Sequence, residues 1–106
     1  MTWPNDADGD VMRRLEADGF NFAAETEVDF NIDVEDWPPS AAAITAVRAA
    51  FPNARVHTPG DYIQLQLVAR ITYPFVMDMQ DRLTRLTAKW GGRCESWGVL
   101  WDPRQG

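Results

Sequence analysis

The sequence contains few of the residues on which catalytic and metal sites are most often built. Cys94 is its single cysteine, so no disulfide can form within the chain. His57 is its single histidine, and no Cys, Asp or Glu lies at metal-ligand spacing from it. There is also no glycine-rich loop of the kind that binds phosphate. We therefore expect a protein that is not an enzyme and that needs no metal or other cofactor.

Long apolar segments are lacking as well. No run of apolar residues approaches the roughly 18 that a transmembrane helix requires. The first residues have neither the basic nor the apolar region of a secretion signal, which predicts a cytoplasmic protein. With 106 residues, of which 45% are hydrophobic and 25% charged, we expect a single domain over residues 1–106.

Positive charge is scarce in the first third of the chain. Residues 1–36 contain eleven acids and two bases, a formal charge of −9, whereas residues 37–106 contain five acids and eight bases, a charge of +3. The net charge of −6 makes the chain a poor candidate for binding a phosphate backbone, which requires clustered Lys and Arg. A basic partner is the better interpretation.

One segment, residues 26–37, alternates between apolar and polar side chains almost without interruption. Successive side chains of a β-strand point to opposite faces, so this pattern predicts a strand with one buried and one exposed face. The buried row is Val28, Phe30, Ile32 and Val34, and the exposed row includes the carboxylates of Glu27, Asp29, Asp33 and Glu35. Like charges about 7 Å apart on such a row repel by roughly 0.6 kcal/mol in water. The row therefore favours contact with something positive.

A second acidic group, Asp6, Asp8 and Asp10, begins a predicted helix over about residues 6–18. The same spacing occurs in EF-hand calcium loops. However, Val11 occupies the position of the obligatory glycine and Ala17 that of the final glutamate. Helix capping is therefore preferred over calcium binding.

The remaining segments complete the predicted fold. They are a helix that begins after Ser40, a short strand at residues 55–57, a strand at residues 62–72, a helix from Pro74 to Trp90 and a strand at residues 93–101. Either parity of the last strand could be buried: Trp97, Val99 and Trp101, or Cys94, Ser96, Gly98 and Leu100.

The order of these elements predicts an α+β fold. It is a ferredoxin-like β-α-β-β-α-β sandwich spanning about residues 26–101, with an antiparallel four-stranded sheet, helices on one face and an extra N-terminal helix. The first and third strands are central neighbours in that topology. The acidic row would therefore lie at the middle of the open sheet face, beside Gln64, Gln66 and Arg70.

This arrangement favours a protein-binding function. RNA-binding sheets of similar topology stack bases on aromatic residues, whereas the facing positions here are acids and amides. The predicted surface for a basic partner comprises Glu27, Asp29, Asp33 and Glu35, supported by Asp6, Asp8 and Asp10. Two alternatives stay open: a small-molecule-sensing domain of the same fold that acts as a homodimer, and a metal-dependent enzyme that uses the acids.

Several motifs resemble those of one known family. They are Asn5-Asp6-Ala7-Asp8-Gly9-Asp10-Val11, Arg14-Leu15, Gly19-Phe20, Val28-Asp29-Phe30 and Gly91-Gly92 with Trp97. Together, in this order, they are similar to the family of the regulator of ribonuclease E activity B. The chain differs from the family where Glu95-Ser96-Trp97 replaces Asp-Gly-Trp, and at Glu25, where a basic residue is common.

The resemblance implies a cytoplasmic bacterial protein with a ferredoxin-like fold and no catalytic residues. Such a protein would restrain an RNA-degrading endoribonuclease of the ribonuclease E type by binding its arginine-rich regulatory part, without contacting RNA directly.

Overall fold

A computed structural model describes residues 3–35 and 41–99 of the chain. Three α-helices, one 3-10 helix and four strands occur in these residues. In chain order they are α1 (Ala7–Ala17), β1 (Glu25–Asp33), α2 (Ala41–Ala50), β2 (Arg55–His57), β3 (Ile63–Arg70), α3 (Tyr73–Thr87), the 3-10 helix (Ala88–Trp90) and β4 (Arg93–Val99).

The four strands form one antiparallel sheet in the order β2-β3-β1-β4. The helices cover one face of this sheet, and α1 packs beside α3. The predicted ferredoxin-like α+β sandwich with an extra N-terminal helix is confirmed. No helix in the described ranges has the length and apolar character needed to cross a membrane.

The core lies between the sheet and the helices. Val28, Phe30 and Ile32 of β1 are completely buried, as their alternation with polar residues predicts. Phe30 also meets the ring of Phe75 on α3 edge-on, with 5.9 Å between ring centroids. Burying each such side chain contributes about 1.5–3 kcal/mol, so the apolar row of β1 provides a large part of the stability.

The ends of the helices follow the sequence closely. Asp6 caps α1, and Gly19 beyond its end has the positive φ of +86° that glycine adopts without strain. Thr72 caps α3 by accepting a hydrogen bond from the N–H of Phe75 at 3.1 Å. Two i,i+4 ion pairs on α3 join Arg82 to Asp78 at 3.9 Å and Arg85 to Asp81 at 3.1 Å.

Several element bounds differ from the prediction. β1 ends at Asp33, four residues before the predicted end, and β3 spans eight residues where eleven were expected. Residues 36–40, with the predicted break at residues 37–39 and the predicted cap Ser40, lie outside the described residues, as does the end of the last strand. The domain bounds of 1–106 and about 26–101 therefore stay a prediction.

The last strand buries residues of both parities, because its register shifts. Asn31 of β1 pairs with Ser96, and the next residue, Ile32, pairs with Cys94, which leaves Glu95 as an extra residue in a β-bulge. Cys94 and Trp97 consequently both reach the core, at 3% and 8% exposure. The sequence left open which parity of the last strand is buried. In the structure both parities are buried in part, because the bulge at Glu95 reverses the sheet face to which alternate side chains point.

Candidate protein-binding surface

The polar row of β1 lies at the centre of the open face of the sheet. β1 has β3 on one side and β4 on the other, and its apolar residues point to the helices. The polar residues therefore point away from the helices. The expected neighbours are confirmed by the register with β3: Asp29 with Gln66, Asn31 with Gln64, and Glu25 with Arg70.

A row of hydrogen bonds crosses all four strands on this face. Nε2 of His57 lies 2.7 Å from Oε1 of Gln64, and Gln64 donates from Nε2 to Oδ1 of Asn31 at 3.0 Å. Asn31 in turn donates from Nδ2 to Oγ of Ser96 at 2.9 Å. Because a carbonyl oxygen only accepts, His57 is the donor in the first of these bonds. The single histidine is thus the end of a cross-strand ladder.

The next row along the sheet contains an acidic position with unused hydrogen-bonding capacity. Oδ1 of Asp29 and Oε1 of Gln66 are shielded from solvent, and neither has a donor within the described residues. On the other side of Asp29 is Gly98, where a Cβ atom would meet nothing within 4 Å. Both oxygens are enclosed as the side chains stand, so an incoming donor such as a guanidinium would reach them only after the side chains of Asp29 and Gln66 turn toward the open space at Gly98.

The other carboxylates of the row are accessible to different degrees. Glu27 is half-buried next to Val68, its partner on β3, whereas Asp33 at the end of β1 is exposed. Glu35 is exposed two residues beyond the strand, and its Cβ lies where a side chain at Gly91 would be. Glu27, Asp29 and Asp33 therefore share the open face of β1, whereas Glu35 lies beyond the strand, beside Gly91 at the end of the 3-10 helix.

None of these carboxylates is neutralised by an ion pair within the described residues. The ion pairs found there join Asp10 to Arg13, Asp78 to Arg82, Asp81 to Arg85 and Glu95 to Arg93. Arg93 pairs with Asp33 in the strand register, yet its guanidinium contacts Glu95, at 3.8 Å. The acidic row consequently keeps its negative charge on the open face.

The N-terminal acids lie on the opposite side of the sheet. Asp6 caps α1 and the other two acids belong to it, and Met12 of this helix is completely buried in the core between sheet and helices. Asp10 forms its ion pair with Arg13 one turn further along α1, at the surface. The structure therefore does not bring Asp6, Asp8 and Asp10 together with the acids of β1.

Asp6 connects α1 to the start of α3. Its carboxylate accepts a hydrogen bond from the N–H of Gly9 at 2.7 Å and another from the hydroxyl of Tyr73. The bond from Tyr73 is the main reason that the pKa of Asp6 lies below its ordinary value. The same bond raises the pKa of the Tyr73 phenol.

Asp8 connects α1 to both α3 and β4. Its Oδ1 accepts hydrogen bonds from Nε2 of Gln80 at 3.1 Å and from Nε1 of Trp97 at 2.8 Å. Trp97 is almost completely buried, so its N–H needs this acceptor. Sequence reasoning did not find this pair, because the two residues are separated by 89 positions and meet only through the fold.

Three glycines of the family-like motifs, Gly9, Gly91 and Gly92, occupy positions where a side chain would not fit or where φ is positive. A Cβ at Gly9 would lie 1.8 Å from the carbonyl oxygen of Pro4, and one at Gly92 would lie 2.1 Å from Oγ1 of Thr87. Gly91 has a φ of +72°, which side-chain-bearing residues rarely adopt. These positions need glycine to let segments of the chain approach closely.

Cys94 is the remaining side chain to consider as a nucleophile. It lies under α3, and burial is the main cause that raises the pKa of its thiol to about 12. A thiol in this state is a poor nucleophile. Within the described residues, no group of three or more His, Cys, Asp or Glu side chains is arranged to hold a metal ion.

Comparison with known proteins agrees with the motifs. A family model described as Regulator of ribonuclease activity B matches residues 5–99 of the 106-residue chain. A comparison with curated proteins gives no match. The family match includes the N-terminal acidic helix, the β1 row, the double glycine and Trp97. The resemblance noted in the sequence is confirmed, and the chain belongs to the regulator of ribonuclease activity B family.

Proposed function

We propose that the protein is a non-catalytic, cytoplasmic inhibitor of a bacterial endoribonuclease of the ribonuclease E type, and that it binds the basic, arginine-rich regulatory region of that nuclease. The observation that carries the proposal is the row of carboxylates on the open sheet face, which has no ion pair within the described residues. A cationic segment would remove the repulsion within the row and complement its charge.

The contact residues that we propose are Glu27, Asp29, Asp33 and Glu35. Asp29 is the central position, because its Oδ1 and the neighbouring Oε1 of Gln66 both lack a donor. An arginine fork has five N–H groups in one plane, so it can donate to both oxygens once the two side chains turn toward the partner.

The N-terminal acids have a different part in the proposal. Asp6 and Asp8 accept internal hydrogen bonds, and Asp10 is paired with Arg13. They lie on the helical side, so we propose that Asp6, Asp8 and Asp10 add to the negative field that attracts the partner without contacting it.

RNA is not the proposed ligand. The described open-face positions of the two central strands carry acids, amides, Val68 and Arg70, and no aromatic residue. Base stacking, which dominates single-strand RNA recognition by sheets, has no platform there. The proposed effect on RNA turnover is therefore exerted through the nuclease.

Binding of the full chain to the arginine-rich region of the host nuclease tests this proposal. The double variant Asp29→Asn/Asp33→Asn should weaken binding by about three- to thirtyfold, from roughly 0.3–1 kcal/mol per exposed charge contact. The slope of affinity against salt concentration should also become shallower. Isothermal titration calorimetry at three salt concentrations measures both quantities.

A matched control is available on the other side of the molecule. Asp78→Asn/Asp81→Asn removes the same charge from the exposed face of α3. This variant should bind nearly as tightly as the parent, and both variants should be assayed for their ability to slow RNA cleavage by the nuclease. If the two double variants lose affinity equally, net charge alone is responsible and the site assignment is wrong. If the parent neither binds nor slows the nuclease, the proposed function is wrong.

A further inference from the structure

The edge of β3 is only partly covered by its neighbour. β2 has three residues, and they pair with residues 64–66 of β3. β3 continues to Arg70, but within the described part of the chain no strand lies beside residues 67–70 on that side. In an antiparallel sheet every second residue directs its N–H and C=O toward that neighbour. The last half of β3 therefore presents unpaired backbone groups at its outer edge.

A turn directs residues 52–54 away from the open edge of β3. If β2 began two residues earlier, Ala54 and Asn53 would lie opposite Leu67 and Val68 in the same register. Instead the N–H of Ala54 donates to the carbonyl of Phe51 at 3.0 Å, and this turn separates residues 52–54 from β3. Between the turn and β3 lies a groove of ≈ 620 Å³ whose walls include Phe51, Pro52, Leu67 and Val68.

The two edges of the sheet differ in how they are protected. β4, at the opposite edge, has a bulge at Glu95 and charged side chains at its start, and both features discourage pairing with another strand. The open part of β3 has neither a bulge nor a proline, and its sequence is Leu67-Val68-Ala69-Arg70. Val68 is 64% exposed, which is unusual for a large apolar side chain at such an edge. The one charge on this edge is Arg70 at its end, so the edge is weakly protected, and exposed sheet edges are the common docking place for an added strand.

We infer that the open edge of β3 receives an extended segment of the basic partner, which adds to the sheet as a strand beside residues 67–70. This inference rests on the proposed function and specifies how the partner is held. Four residues of strand span about 13 Å, so a short segment suffices to pair the exposed backbone groups. The side chains of this added strand would point alternately to the open face of the sheet and into the groove.

The charges around the groove define the side chain expected opposite Val68. Glu27 lies beside Val68 on β1 and lines the groove, whereas Arg55 lies at the start of β2. A residue of the added strand opposite Val68 would have its Cα about 10 Å from that of Glu27, which is two strand spacings. A lysine or arginine there can lay its apolar stem across Val68 and bring its charge to Glu27. The added strand thus leads directly to the acidic row of β1.

Hydrogen exchange and one pair of variants test this inference. On binding the arginine-rich region of the nuclease, amides within residues 67–70 should become protected from exchange. Val68→Lys places a charge of the kind that protects natural edges and should weaken binding about tenfold or more. The matched control is Met77→Lys on α3, at the other large apolar side chain that is exposed (40%) among the described residues, and it should bind like the parent.

The outcomes separate this inference from the proposed function. Binding that depends on Asp29 and Asp33 but leaves residues 67–70 unprotected, with Val68→Lys binding normally, would overturn strand addition and leave the regulator function intact. Absence of any binding by the parent would overturn both. Protection of residues 67–70 that rises with protein concentration without the nuclease would show that a second copy occupies the edge, and would overturn the assignment to the partner.

Discussion

The hydrogen bond between Asp8 and Trp97 joins the two ends of the family match, and its contribution to stability can be measured. Nε1 of Trp97 donates to Oδ1 of Asp8 over 2.8 Å, and Trp97 is 8% exposed. A hydrogen bond to a charged group contributes about 1.5–3 kcal/mol, and a buried donor without an acceptor costs about 1–3 kcal/mol. Trp97→Phe removes the donor, and Asp8→Ala removes the acceptor.

The expected loss of stability follows from these two free energies. Each single variant should lower the free energy of unfolding by about 2–4 kcal/mol, because each also loses packing or a second bond. Asp8→Ala additionally loses the bond from Gln80. The double variant should be more stable than the sum of the two losses predicts, with a coupling energy of about 1–2 kcal/mol.

This coupling energy is obtained from urea unfolding of the parent, the two single variants and the double variant, monitored by far-ultraviolet circular dichroism. The control cycle combines Trp97→Phe with Asp10→Ala, which alters the same helix at a residue that faces Arg13 instead. The control cycle should be additive within about 0.5 kcal/mol. If the Asp8 cycle is equally additive, the bond does not hold α1 to β4, and the explanation given for these two motif residues is wrong.

Three further predictions concern stability and reactivity. Phe30→Ala should lower the free energy of unfolding by about 3–5 kcal/mol in urea titrations, because its side chain is completely buried; a loss below about 1 kcal/mol would contradict the assigned core face. Gly9→Ala should destabilise the protein by roughly 1–3 kcal/mol, despite the better helix propensity of alanine, because its Cβ would overlap the Pro4 carbonyl. Gly98→Ala is the control and should be neutral or stabilising, because a Cβ there meets open space. Equal melting temperatures of the two variants would refute the steric argument. Cys94, with a pKa of about 12, should react very slowly with a thiol-specific reagent at pH 8 in the folded protein and rapidly in urea; fast labelling of the folded protein would show that the thiol is accessible.

The alternation of β1 was sufficient to predict its faces, because a strand places successive side chains on opposite sides whatever the rest of the chain does. The helix signals at Asp6 and Gly19 are likewise local, and the observed bounds of α1 agree with them within a residue. The cap of α3 was not predicted, because Thr72 was assigned to the end of the preceding strand. Strand ends were predicted less well. β3 was expected through residue 72, but hydrogen bonding to β1 stops at Arg70, where β1 itself begins.

The acidic site could be predicted only as a list of residues. The carboxylates of β1 share a face by local geometry alone, so the sequence identified them together. The carboxylates of α1 were grouped with them because they are close in the chain. The fold places α1 on the opposite side of the sheet, where Asp6 and Asp8 bind Tyr73, Gln80 and Trp97.

By itself, then, the sequence determined the fold class, the buried row of β1, the bounds of α1 and the family, because these depend on periodicity, on spacing and on motifs that are contiguous in the chain. Tertiary structure decided which acids remain free, which strand edge stays open and how β4 buries both Cys94 and Trp97. Those features depend on register, on the three-residue length of β2 and on the bulge at Glu95, and each arises from pairing between strands that are distant in sequence.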